Sequence, residues 1–87
     1  MPSAKKVEEN VEKIIEHLKQ LQKDSTIPRN VKSKFDEMTR LLSNKKEEYG
    51  LRINKALNVI EGISEDANLQ PYTRTQIWNV ASMLESI

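Results

Sequence analysis

The apolar residues of this chain recur at the spacing of an α-helix. In the first segment they fall four, three, four and three residues apart, at Val7, Val11, Ile14, Leu18 and Leu21. This spacing places all of them along one face of a helix. No alternation of apolar and polar residues runs long enough to predict a β-strand. The pattern therefore predicts an all-α protein.

Three further segments show the same spacing, and each has a start signal. Pro28 predicts the start of a second helix that runs to about Ser43. Asn44 with Glu47 has the spacing of a capping pair that opens a third helix, and a fourth begins near Pro71. The apolar residues of these three helices are Val31, Phe35, Met38, Leu41 and Leu42; Tyr49, Ile53, Ala56, Leu57, Ile60 and Ile63; and Ile77, Trp78, Val80, Ala81, Leu84 and Ile87.

The second half of the chain repeats the first. A shift of 42 residues aligns the first helix with the third. One extra residue in the second corner gives a shift of 43, which aligns the second helix with the fourth. The pairs that carry this alignment are Asp24 with Asp66, Pro28 with Pro71, and Phe35 with Trp78. Each half is then a helix, an acidic corner and a second helix that starts at proline. We predict two pseudo-repeated helical hairpins, of about residues 4–43 and 45–87, in a four-helix up-and-down bundle that forms a single domain over residues 1–87.

Composition excludes several classes of protein. The 87 residues suffice for one core, and the chain has no cysteine for disulfides or thiolate zinc sites. No segment approaches the roughly 20 apolar residues that span a bilayer, and the N-terminal stretch "MPSAKKVEEN" has no signal-peptide apolar region. The net charge of +1 gives no overall field that attracts nucleic acid. We expect a cytoplasmic protein with no membrane partner.

Residues that carry catalysis or bind metals are sparse. His17, the one histidine, lies about 80° from the centre of the first helix's apolar face and is interpreted as a boundary residue of the core. Two-metal bundles place glutamate three residues before histidine, but Ile14 occupies that position. Glu12 and Glu16 are interpreted as solvated acids. Without a glycine-rich phosphate loop or a nucleophile elbow, we expect no enzymatic activity, cofactor or metal.

The fourth helix predicts an interaction surface. Between Tyr72 and Ile87 the only charged residues are Arg74 and Glu85. Protein interfaces lose charge and gain aromatic residues and arginine. We therefore expect a protein partner, either another protein or a second copy of the chain in a homodimer. The candidate interface residues are Tyr72, Arg74, Thr75, Gln76, Trp78 and Asn79.

Two of these residues also have a purely structural interpretation. The repeat aligns Trp78 with Phe35, which favours a place in the core for both rings. Arg74 can pair with Asp66 or Glu65 and hold the second corner, at a contribution of roughly 0 to 1 kcal/mol for an exposed pair. Both interpretations stay open at the level of sequence.

The second helix predicts an alternative site, for RNA or a ribonucleoprotein. Lysine and arginine contacts to phosphates make such binding salt-dependent. Asp36 and Glu37 interrupt the basic run, and no aromatic platform for base stacking lies outside predicted core positions. The candidate basic residues are Lys23, Arg29, Lys32, Lys34 and Arg40.

Two short stretches resemble those of a known family. They read "DSTIPRN" from Asp24 and "TRTQIWN" from Thr73, and on four short helices they resemble an archaeal family of small uncharacterised proteins. The resemblance covers nearly the whole chain and is most specific at residues 27–30 and 73–78, whereas the segment "KKEEYGLRINK" is less typical. It implies an archaeal origin and a four-helix bundle, and it implies no activity.

Overall fold

The computed structural model describes residues 3–66 and 68–87, which contain four helices: α1 (Ala4–Gln22), α2 (Arg29–Ser43), α3 (Tyr49–Ser64) and α4 (Pro71–Glu85). Short connections make consecutive helices antiparallel neighbours, and α4 also packs against α1 and closes the bundle. The molecule measures 38 × 22 × 20 Å. The predicted all-α, up-and-down four-helix bundle is confirmed. In the two described ranges, no helix has both the length and the apolar character needed to cross a bilayer.

The helix starts agree with the prediction except at α3. Asn44 is the C-cap residue of α2, and α3 begins five residues later, at Tyr49. The Asn44 carboxamide donates to the Glu47 carboxylate (3.1 Å) and accepts the Lys46 backbone N–H (3.2 Å). The predicted capping pair is therefore wrong as a helix start, because its hydrogen bonds close a turn between the two helices.

The core receives side chains from all four helices and from both corners. Phe35 is the largest fully buried side chain. Burial of each large apolar side chain contributes roughly 1.5–3 kcal/mol to stability before the entropy of ordering is subtracted. The buried apolar residues are Val11, Ile14, Leu18, Leu21, Ile27, Val31, Phe35, Met38, Leu42, Ala56, Ile60, Ile63, Leu69, Ile77, Val80 and Leu84.

The second helices of the two hairpins, α2 and α4, match at a shift of 42 residues. Pro28 is the N-cap residue of α2, whereas Pro71 is the first residue inside α4. The alignment of Pro28 with Pro71, and with it that of Phe35 with Trp78, is therefore wrong. The buried residues of α2 are Val31, Phe35, Met38 and Leu42, and those of α4 are Thr73, Ile77, Val80 and Leu84.

An aspartate organises each corner through the same hydrogen bonds. The Asp24 carboxylate accepts the Thr26 backbone N–H (2.9 Å), and the Asp66 carboxylate accepts the Asn68 backbone N–H (2.8 Å). The carbonyl of each aspartate accepts an N–H from the residue three positions later (3.2 and 3.4 Å). Aspartate side chains stabilise turns in this way. The structural repeat is thus clearest in the two acidic corners, as the sequence predicts.

Candidate protein interface on α4

Trp78 lies on the outer side of α4 and is 62 % exposed. The neighbouring Ile77 is buried instead, and one residue further along a helix turns the side chain by about 100°. The interpretation of Trp78 as a core filler is therefore wrong. Because tryptophan carries a large apolar surface, its exposure in the middle of a helix leaves much of that surface in contact with solvent.

The surface around Trp78 carries little charge. We name as the Trp78 face the residues of α4 that lie within about 60° of Trp78 on the helix. They are Pro71, Arg74, Thr75, Trp78, Ala81, Ser82 and Glu85. Arg74 and Glu85 are its only ionisable members. A partner that covers this face therefore has few charges to desolvate.

Two hydroxyl groups, Thr75 on the Trp78 face and Ser86 beside it, already have hydrogen-bond partners within the chain. The Thr75 hydroxyl donates to the Pro71 carbonyl (3.0 Å), and the Ser86 hydroxyl donates to the Ser82 carbonyl (2.7 Å). A buried donor without a partner costs about 1–3 kcal/mol. Satisfying these donors inside the helix lowers the cost of excluding water from the face.

The six predicted interface residues fall into two groups. Arg74 and Thr75 share the face of Trp78. Tyr72 and Asn79 are exposed but lie about 100–120° around the helix, and Gln76, which is half-buried, lies about 160° away. The structure therefore brings three of the six residues together and places the other three on the flank of α4.

Arg74 contacts the second corner through the protein backbone. Its Nη2 atom donates to the Asp66 carbonyl oxygen over 3.4 Å. The sequence interpretation in which Arg74 holds this corner is correct in location, but the acceptor is the peptide group of Asp66 and not a carboxylate. The long distance makes this a weak bond, and the guanidinium has further donors for other acceptors.

Tyr72 connects α4 to the first corner. Its hydroxyl donates to the Asp24 carboxylate over 2.6 Å. The Thr26 hydroxyl donates to the same carboxylate over 2.6 Å. Hydrogen bonds from Thr26 and Tyr72, with a smaller contribution from nearby Lys32, lower the pKa of Asp24 to about 2. The bond to Asp24 raises the pKa of the Tyr72 phenol.

The basic residues of α2 are mixed with acids. Lys34 forms an ion pair with Glu37 (3.5 Å), and Arg40 forms one with Asp36 (3.4 Å). Lys34 also projects about 140° away from Arg29 on the helix. Two further residues of the predicted patch lie near an acid, because Lys23 precedes Asp24 in the chain and the charge of Lys32 contributes to the lowered pKa of Asp24. This geometry does not favour a phosphate-binding strip, and RNA binding stays a prediction.

Sequence reasoning missed a buried arginine on α3. Arg52 is 3 % exposed. Its Nη1 atom donates to the Leu42 carbonyl at the end of α2 (2.8 Å), and its Nη2 atom lies 3.8 Å from the Glu8 carboxylate. The guanidinium lies 4.4 Å from the centre of the Tyr49 ring, and the Tyr49 hydroxyl donates to Glu8 (2.7 Å). We call Glu8, Tyr49 and Arg52 the Arg52 cluster; it joins α1, α2 and α3.

The Arg52 cluster borders an open depression at one end of the bundle. The ionisable lining residues are Glu8, Lys45, Lys46, Glu47, Glu48, Tyr49 and Arg52. At neutral pH three acids balance three bases, so the depression does not select an anion or a cation by charge. A sequence signal for the cluster was present, since Arg52 precedes Ala56 by four residues in the buried series of α3. A buried arginine needs partners such as those that Glu8 and the Leu42 carbonyl supply.

His17 lies at the margin of the core, as the sequence predicts, and is half-buried. Across residues 3–66 and 68–87, no three histidine, aspartate or glutamate side chains come together as a possible metal site. Glu12 and Glu16 are exposed on α1.

The sequence profile of one family, described as "Uncharacterised protein family (UPF0147)", matches residues 1–87. The chain belongs to the UPF0147 family. It is 40 % identical over 82 residues to a UPF0147 protein of Pyrococcus horikoshii, and the aligned residues cover 93 % of this chain and 88 % of the relative. It is 37 % identical over 79 residues to a UPF0147 protein of Methanosarcina mazei, and the aligned residues cover 91 % of this chain and 85 % of that relative. The resemblance to an archaeal family of uncharacterised proteins is confirmed.

One solved structure shares the fold of this UPF0147 protein. It is described as the crystal structure of "unknown function protein MMP1188" and is 36 % identical in sequence. The two structures superpose with a TM-score of 0.83 over 90 % of this chain and 89 % of the other. The match supports the four-helix fold, and the name describes no activity.

The two stretches by which the sequence resembles the UPF0147 family begin close together in the structure. The first begins at Asp24 and the second at Thr73. Tyr72, directly before the second stretch, donates its hydroxyl to Asp24. The two stretches therefore begin at the junction between the first corner and α4, from which the Trp78 face extends.

Proposed function

We propose that this protein is a non-enzymatic interaction module that binds a protein partner through the Trp78 face. The observation that carries the proposal is the 62 % exposure of Trp78 on a face with two ionisable residues. Tryptophan and arginine are the residue types most enriched among those that dominate binding energy. A cytoplasmic location is part of this proposal, and cell fractionation tests it.

The core supports the Trp78 face as a rigid surface. α4 is anchored by Ile77, Val80 and Leu84, which are buried against the other helices. At its start, the bond from Tyr72 to Asp24 fixes the first turn relative to the first corner. A surface that is ordered before binding loses less conformational entropy when the partner arrives.

Affinity capture with matched variants tests the proposal. Tagged wild type, Trp78→Ala, Leu51→Ala and Arg29→Glu are each incubated with archaeal lysate, with and without nuclease treatment, and captured proteins are quantified by mass spectrometry. Leu51 is the control, since it is also a large apolar residue, 48 % exposed, but lies on α3. We expect proteins that wild type and Leu51→Ala retain and that Trp78→Ala loses by at least tenfold, the loss typical of a dominant interface residue.

Two results would contradict the proposal, and a folding control accompanies them. Equal capture by wild type and Trp78→Ala would overturn the proposal. Circular dichroism melting shows whether Trp78→Ala is folded, and the exposure of the ring predicts a change within about 0.5 kcal/mol. Partners that vanish on nuclease treatment and on Arg29→Glu, but persist in Trp78→Ala, would instead support RNA binding by α2.

A further inference from the structure

We infer that the partner of the Trp78 face is a second copy of this chain, packed through antiparallel α4 helices around a two-fold axis at Trp78. The inference rests on the proposed function and names its partner. Trp78 is the central residue of α4, with residues 71–77 before it and residues 79–85 after it. A two-fold interface uses the same patch on both subunits, so it is simplest when the dominant side chain lies at the centre of the patch.

The positions of the two charges on the face favour antiparallel pairing. In such a pair, the residue at 78 + k lies opposite the residue at 78 − k of the other copy, so Glu85 of one chain lies opposite Pro71 of the second. Arg74 is three residues from Pro71, which is about 4.5 Å along the helix. Arg74 of each copy therefore lies within side-chain reach of Glu85 of the other.

The angular positions of these charges agree with the same geometry. Arg74 and Glu85 both lie on the same side of Trp78 around the helix, at about 40° and 20°. A two-fold axis perpendicular to the plane of the two helices keeps each residue and its symmetry mate on the same side of that plane. Two equivalent contacts result, each between Arg74 of one copy and Glu85 of the other. Parallel pairing in register would place Arg74 against Arg74 and Glu85 against Glu85. Of these two arrangements, only the antiparallel one places opposite charges against each other.

The residues beside Trp78 leave space for the tryptophan of a second copy. Ala81, Ser82 and Thr75 are small and flank the tryptophan within about 60°. Because the axis separation of packed helices depends on the side chains at the contact, these small neighbours make room for the large ring between the helices. The two Trp78 rings then lie next to each other at the two-fold axis, where offset stacking of aromatic rings is favourable.

The size of the contact predicts a reversible dimer. α4 has 15 residues and is therefore about 22 Å long. One helix pair buries less than the roughly 1,600 Å² of a standard protein interface. We expect association at micromolar concentration, which sedimentation velocity detects as a rise above the monomer mass of 10.1 kDa between about 10 and 500 µM.

Charge reversal tests the pairing. In Arg74→Glu both charges of the face are negative, and in Glu85→Arg both are positive. We expect each variant alone to associate at least tenfold more weakly than wild type, because like charges then meet twice. An equimolar mixture of the two variants restores association, and so does the chain that carries both substitutions. Arg29→Glu on α2 is the matched charge-reversal control and associates like wild type.

The restored association also controls for folding. The mixture contains the same substituted chains that fail alone, so its recovery excludes misfolding as the cause of the loss. A wild type that stays at 10.1 kDa over the whole concentration range would overturn the inference. Dimers that form equally well in both single variants would overturn it too, because they use another surface. If wild type is monomeric while Trp78→Ala loses a captured protein, the proposed function stands and self-pairing fails.

Discussion

The Tyr72 hydroxyl donates a 2.6 Å hydrogen bond to the carboxylate of Asp24, 48 residues earlier in the chain. The bond joins the first turn of α4 to the corner between α1 and α2. The same carboxylate also accepts the side-chain hydroxyl and the backbone N–H of Thr26, at 2.6 and 2.9 Å. One carboxylate therefore holds the turn of the first hairpin and the start of the helix that carries the Trp78 face.

The Tyr72→Phe variant tests whether this bond persists in solution. The three hydrogen bonds favour the ionised carboxylate and lower the pKa of Asp24 to about 2. Removing the phenol oxygen removes one donor, so the pKa of Asp24 rises but stays below the usual 3.8 because Thr26 still donates. Thr26→Ala is expected to raise it further, since Thr26 has the larger effect. A carboxyl titration followed by NMR measures each value, and an unchanged pKa in Tyr72→Phe would show that the phenol does not donate.

Acid stability tests the same carboxylate in another way. The pKa of Asp24 in the folded protein lies below its ordinary value of 3.8. The stabilisation from its ionised form is therefore complete above about pH 4 and is lost as the pH falls toward 2. We expect Asp24→Asn to be less stable than wild type at pH 6, and the difference in urea midpoint to shrink between about pH 4 and 2. Asp36→Asn, on the exposed side of α2, is the control. A difference that stays constant down to pH 2 would contradict the prediction.

The helical fold was predictable because many apolar residues carry the same periodicity. One misplaced residue in a segment does not change the type of element that the segment forms. Both corners were predictable as well, since Asp24 and Asp66 have the residue type that stabilises such turns. A resemblance that spans nearly the whole chain gave the same fold independently.

The wrong alignment of α4 and the missed Arg52 share one physical cause, which is a polar residue at a core position. Thr73 is fully buried in α4 and occupies the place that Val31 has in α2. An alignment based on apolar residues alone passes over Thr73. It therefore matches the buried Phe35 with Trp78, one residue after its true counterpart Ile77. Arg52 was missed in the same way, because its burial depends on acceptors from α1 and α2 that lie far away in the sequence. The exposed position of Trp78, and with it the shape of the candidate interface, needed the three-dimensional structure.

Alanine substitutions at two adjacent residues test the corrected alignment of α4. Ile77 is buried, so Ile77→Ala is expected to lower the free energy of unfolding by about 2–5 kcal/mol. Trp78→Ala removes a larger side chain but is expected to change it by no more than about 0.5 kcal/mol, because the ring contacts solvent. Phe35→Ala at the matching core position of α2 serves as the reference and costs about 3–5 kcal/mol. Urea denaturation measures all three, and a larger loss in Trp78→Ala than in Ile77→Ala would restore the alignment with a shift of 43.

Replacement of Arg52 by methionine tests which contact of the Arg52 cluster stabilises the bundle. Methionine fills similar space but leaves the Leu42 carbonyl without its 2.8 Å donor. An unpaired buried carbonyl costs about 1–3 kcal/mol, and we expect a loss of that size in urea denaturation.

The 3.8 Å contact with Glu8 contributes less, since Glu8 is partly exposed and keeps the Tyr49 hydroxyl as its donor. Glu8→Gln is therefore expected to cost less than about 1 kcal/mol. Lys55→Met, which breaks the 2.8 Å ion pair with Glu47 on the surface of α3, is the control for loss of a positive charge and is expected to cost at most about 1 kcal/mol. Equal losses in Arg52→Met and Lys55→Met would mean that the buried hydrogen bond to α2 contributes no more than a surface ion pair.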